Sequence, residues 1–145
     1  MNIKAFNASL TKLKTFCKTH NIDIQLRSNT FEFDYDSYCI KCDYKLYNKP
    51  QYICGLLHEI GHAIQNVSPF NDLKLNKTSL IALMVEQEFS AWEIGKTLAL
   101  NLHIYDDIES IYESEWARNW YTYIKHLPGC SVKELKTLRS GYTFK

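Results

Sequence analysis

Apolar residues in the first segment recur every three or four positions. Ile3, Phe6, Leu10, Leu13 and Phe16 or Cys17 fall on one side of a helix, with Lys4, Lys12, Lys14 and Lys18 elsewhere. Residues 2–19 therefore read as an amphipathic helix with one face on a core. The period then drops to two. Ile22, Ile24 and Leu26 alternate with polar neighbours, as do Phe31, Phe33 and Tyr35, with Ser28-Asn29 and Asp36-Ser37 as turns. A third alternating run, residues 38–47, sets Ile40, Cys42, Tyr44 and Leu46 against Lys41, Asp43 and Lys45. Three consecutive strands joined by tight turns predict an antiparallel meander.

Helical spacing returns after Asn48-Lys49-Pro50, where the proline stops the preceding strand. Residues 52–57 run apolar, residues 63–67 continue at helical spacing, and Ser68-Pro69 ends the helix. A polar loop over 71–77 precedes a long helix from Ser79 to about Leu102. Asp106 or Asp107 can cap the next helix, which runs to about Leu127 before Pro128-Gly129. Ser131-Val132-Lys133-Glu134 has the form of a capping box and opens a short final helix. No repeat, low-complexity run or linker divides the chain. The expected fold is one α+β domain over residues 1–145: an N-terminal helix, a small three-stranded antiparallel sheet and a helical C-terminal half.

The bulk properties narrow the function by exclusion. With 145 residues, 46% hydrophobic and 23% charged, the chain is sized and composed to bury a real core. A net charge of +1 without a basic block leaves no electrostatic footprint for nucleic acid. No apolar run approaches the roughly 20 residues that cross a membrane, and the first residues lack the apolar core of a secretory signal. A cytoplasmic location is the expectation, the host cytoplasm if the chain is phage- or virus-encoded. Five cysteines form an odd set, which favours reduced thiols over a disulfide framework. Cys39 and Cys42, in an alternating strand, point to opposite faces and cannot share a metal.

The chemistry concentrates in His58-Glu59-Ile60-Gly61-His62. On a helix, residues four apart lie one turn above each other on one face. His58 and His62 can then present two imidazoles to a single Zn²⁺, with Glu59 beside them as general base for a metal-activated water. A catalytic zinc commonly takes a third protein ligand. The histidines that follow, His103 and His126, are not close in sequence, so a carboxylate is the natural candidate. Glu86 shares a polar stripe with Ser90, Glu93 and Thr97 and reads as a solvated charge. Glu88 interrupts the apolar stripe Ile81, Met84, Val85, Ala91, Trp92, Gly95, Leu98, Ala99 and Leu102. A carboxylate turned toward a core needs a partner. That partner is either the ion held by the two histidines or a Lys or Arg from another element, unless the stripe sits at the rim of the core.

Leu56-Leu57-His58-Glu59-Ile60-Gly61-His62-Ala63, followed by Glu88-Phe89-Ser90-Ala91-Trp92, resembles the compact gluzincin metallopeptidases of the ImmA/IrrE type and their small phage-encoded relatives. The resemblance covers about residues 50–100. It implies a zinc-dependent peptidase fold with His58, His62 and Glu88 on zinc and Glu59 as the base. Trp92 stands where many members of that family have Asn, and the usual Leu-Met-Pro ending after the second helix is missing.

The expected reaction is peptide hydrolysis on a peptide or protein substrate. Candidate donors to the oxyanion are Tyr121, Tyr123, His126, Arg118 and His103, and the 38–47 strand is the candidate edge for a substrate chain. Two other readings compete: a module that keeps the fold and metal but binds a partner without cleaving it, and a structural domain with a chance motif.

Overall fold

In a computed structural model, residues 1–65 and 77–125 are described. Helix α1 spans Ile3–Thr19 and is capped by Asn2, whose side-chain oxygen accepts from the Ala5 amide at 2.8 Å. It buries Phe6, Leu10, Leu13 and Cys17 as the spacing predicts. Ile3 departs from that prediction: it sits in the first turn, beyond the core's edge, and is exposed.

Three strands follow: β1 (Asp23–Ser28), β2 (Glu32–Asp34) and β3 (Cys39–Asp43). Their order is β1-β3-β2, which corrects the antiparallel meander. The last strand inserts between the first two, so β3 is antiparallel to β2 but parallel to β1, and the sheet is mixed. Alternation reports that one face of a strand is buried; it carries no information about partner or direction. Cys39, Ile40 and Cys42 are all buried, as suits a central strand covered on both faces. With both edges paired, β3 has none free for a substrate chain, contrary to the expectation for residues 38–47.

That strand also ends early. Oδ1 of Asp43 accepts from the Lys45 amide at 3.0 Å and turns the chain into a 3-10 segment, Tyr44–Leu46. Helix α2 (Pro50–Gln65) then starts on its proline, whose missing N–H costs nothing in a first turn. α2 touches α1, β2, β3 and both later helices, and Tyr52, Ile53, Leu56, Leu57 and Ile60 are fully buried.

Helix α3 (Lys77–Asn101) carries the predicted stripe in its second half: Ala91, Trp92, Gly95, Leu98 and Ala99 are buried, and Glu86 and Glu93 are exposed. Met84, placed on the same stripe, is exposed before the helix reaches the core. It ends where His103 adopts a left-handed φ of 56° and Ile104 N–H bonds back to the Ala99 carbonyl at 2.8 Å. Helix α4 (Tyr105–Lys125) starts one residue before the expected caps, so Asp106 and Asp107 lie in its first turn and face the helix dipole. The turn at Ser68-Pro69, the 71–77 loop up to residue 76, the break at Pro128-Gly129 and the final helix opened by Ser131 lie outside the described residues. No described helix is long and apolar enough to cross a membrane.

Two glycines decide how closely the second and third helices approach. A Cβ on Gly61 would collide with the backbone of Ala91, and one on Gly95 would lie 2.8 Å from the Leu57 carbonyl oxygen. Each helix thus offers a glycine where the other's backbone arrives. That contact lies beside the histidines of α2 and Glu88 of α3.

Candidate metal centre

His58 and His62 stand one turn apart on α2, and Glu88 reaches them from α3. Oε2 of Glu88 lies 2.8 Å from Nε2 of His58, and Oε1 lies 3.1 Å from Nε2 of His62. The two Nε2 atoms are 3.2 Å apart. One ligand atom from each residue falls within 4.8 Å of the others, the one such group of metal-ligating side chains among the described residues. Of the two partners open to Glu88 in the sequence, the imidazole pair is the one the fold supplies.

The donor set suits a divalent ion of borderline softness: two imidazole nitrogens and one carboxylate oxygen, with a cavity alongside for a further ligand. Oε2 of Glu88 is buried and close to His58, yet it makes no aligned hydrogen bond. A buried carboxylate oxygen left without a hydrogen-bond partner beside two imidazoles suits a shared cation.

Charge is strongly redistributed here. Burial pushes the Glu88 carboxyl up, but the two imidazoles facing it override this and hold it well below the usual carboxylate range. Burial works against the charged form of His62, and Glu88, followed by Glu59, more than offsets it, so its pKa rises. Glu59 is only 7% exposed, and loss of solvent lifts its pKa despite both histidines.

These residues line a cavity of about 970 Å³ bounded by β2 and its flanks, α2, α3 and α4. Of the four candidate oxyanion donors among the described residues, two reach it. Tyr123 lines the wall from α4; burial and the Glu88 carboxylate keep its phenol protonated far above neutrality. Arg118 lies at the exposed rim, ion-paired with Glu115. Tyr121 is 61% exposed and outside the lining, His103 serves the turn between α3 and α4, and His126 lies outside the described residues.

Three contributors escaped the sequence reading. Trp92 stacks on the His58 ring with centroids 4.4 Å apart, which restricts its rotation. Its place four residues after Glu88, on the same face, was the available signal. Tyr35 lines the cavity from the sheet side; burial, then Glu88 and Glu59, raise its phenol. Gln65, at the end of α2, reaches both His62 and the main chain of α3; nothing in the sequence marks it.

The described cysteines are unpaired with one another, and of them Cys54 alone lines the cavity. Burial pushes the Cys17 and Cys54 thiols up to about 12 and Cys42 to about 11, so all three stay protonated and inert at neutral pH. No family model, no curated protein and no solved structure matches this chain.

Proposed function

We propose that this chain is a zinc-dependent peptidase in which His58, His62 and Glu88 hold the ion and Glu59 is the general base. The observation that carries this reading is the meeting of the three ligand atoms within 4.8 Å beside a buried carboxylate, all lining one cavity. Zinc bound there would polarise a peptide carbonyl and lower the pKa of water toward neutrality. Glu59 takes a proton from the attacking water and passes it to the amide nitrogen as the C–N bond breaks. Burial raises its proton affinity, which favours its role as proton acceptor. Tyr123 donates its phenolic hydrogen to the carbonyl oxygen as negative charge develops there.

The substrate is a peptide or an extended protein segment. β2 is an edge strand, and Phe31, Glu32, Phe33 and Tyr35 line the cavity. An extended chain that pairs with this edge would run past the triad, with its backbone held and its side chains alternating into the cavity.

The deciding experiment compares wild type with Glu59→Gln. Wild type should bind zinc and cleave unfolded protein; the variant should bind zinc equally and lose turnover by about 10²–10⁴-fold. Cleavage surviving in the variant sinks the assigned base. Zinc uptake without cleavage in wild type favours the partner-binding module instead. Wild type without metal affinity favours the structural domain.

A further inference from the structure

Gln65 bonds to both ligand-bearing helices. Its side-chain nitrogen donates to the Gln87 main-chain carbonyl at 2.6 Å. A carbonyl oxygen only accepts, so the amide oxygen is the atom that faces Nδ1 of His62 at 3.2 Å. That oxygen also only accepts, so Nδ1 carries the hydrogen. The lone pair of a neutral His62 is thereby placed on Nε2, the atom that faces His58 and Glu88 at 3.2 and 3.1 Å. The chain of bonds starts at Gln87, directly beside Glu88, and ends on a second ligand.

We infer that Gln65 is a positioning residue of the metal centre: its amide oxygen, accepting from Nδ1, fixes the tautomer and rotation in which His62 presents Nε2 to the ion. This rests on the triad being a zinc site. The plainer role is a tie between two helices, for which the bond to Gln87 alone suffices. The two roles differ in which atom of Gln65 matters. Positioning needs the acceptor toward His62; a tie needs the donor toward Gln87.

Gln65→Met removes both polar atoms at similar length, whereas Gln65→Glu keeps an acceptor and loses the donor. Zinc dissociation constants of the full chain are measured by chelator competition, with the imidazole N–H signals of the zinc-loaded protein as the second readout. Gln65→Met should weaken zinc about 10- to 100-fold and lose the slowly exchanging Nδ1–H signal of His62. Gln65→Glu should keep that signal and bind zinc about tenfold more tightly than Gln65→Met. If Gln65→Met fails to fold, Gln65→Asn, too short to reach His62, replaces it with the same expectation. Zinc binding unchanged in Gln65→Met, or weakened as far in Gln65→Glu, overturns the inference and leaves a helix tie. A wild type that takes up no zinc overturns this inference and the metal reading together, whereas the variant results bear on Gln65 alone.

Discussion

The carboxylates of Glu88 and Glu59 occupy one cavity and are pushed in opposite directions, and the signs have consequences for stability. Glu88, whose pKa is lowered, contributes stability above the ordinary carboxylate pKa and loses it as pH falls through its depressed value. His62, whose pKa is raised, contributes fully below the ordinary imidazole pKa and loses that as pH rises through its elevated value. The chelated protein should therefore gain most from this pair between about pH 4 and 6.5 and lose part of it on going alkaline. Thermal scans against pH in chelator check this. Zinc affinity should run the other way, tightening as pH rises because the ion displaces the His62 Nε2 proton. Calorimetry in buffers of different ionisation heat would detect the released proton. Glu59 has the reverse sign from Glu88: its raised pKa favours the folded state only while it is protonated, and ionisation costs stability above that. Glu59→Gln should thus raise the thermal midpoint of the metal-free protein by a few degrees at neutral pH and not in acid. A midpoint unchanged or lowered at neutral pH would contradict the burial assigned to this carboxylate.

At the level of elements, the centre depends on the distance between α2 and α3. Gly61→Ala places a methyl against the Ala91 backbone, which cannot yield without moving the helix that carries Glu88. A loss of about 1–3 kcal/mol in chemical unfolding is expected, together with weaker zinc binding. Gly55→Ala is the matched control. There the new Cβ meets the Phe31 ring, a half-buried side chain on the cavity wall that can swing aside. Its zinc affinity should stay near wild type. If Gly61→Ala behaves like Gly55→Ala, helix spacing is not what sets the triad. The periodicities identified α1 and α3 to within a few residues, because each records a buried face, whereas α2, buried nearly all round, was marked by its apolar run and its proline start, and α4 by its acidic first turn. The order of the strands was not legible, because all three runs alternate alike, and alternation does not record which strand pairs on both edges.

For the molecule as a whole, a metal held between two helices of one core would link its binding to folding. Zinc at about 100 times its dissociation constant should add about 2.7 kcal/mol to unfolding free energy, and a chelator should reverse it. Glu88→Ala should lose most of that gain while the chelated variant still melts cooperatively. A thermal midpoint in wild type indifferent to zinc would show that the triad does not hold the ion in the folded protein.

The sequence by itself determined the helical frame, the face of α2 that carries His58, Glu59 and His62, and the anomaly of an acidic Glu88 on an apolar stripe. Such features are local, since a residue's place on a helix follows from spacing alone. Only the tertiary structure decided that Glu88 meets the imidazoles and not a Lys or Arg, that Tyr123 and Arg118 reach the cavity while Tyr121 and His103 do not, and that Gln65 connects His62 to α3. Those outcomes depend on how two backbones approach across Gly61 and Gly95, on strand order and on helix crossing. They are set by the packing of segments distant in sequence, which no local period encodes.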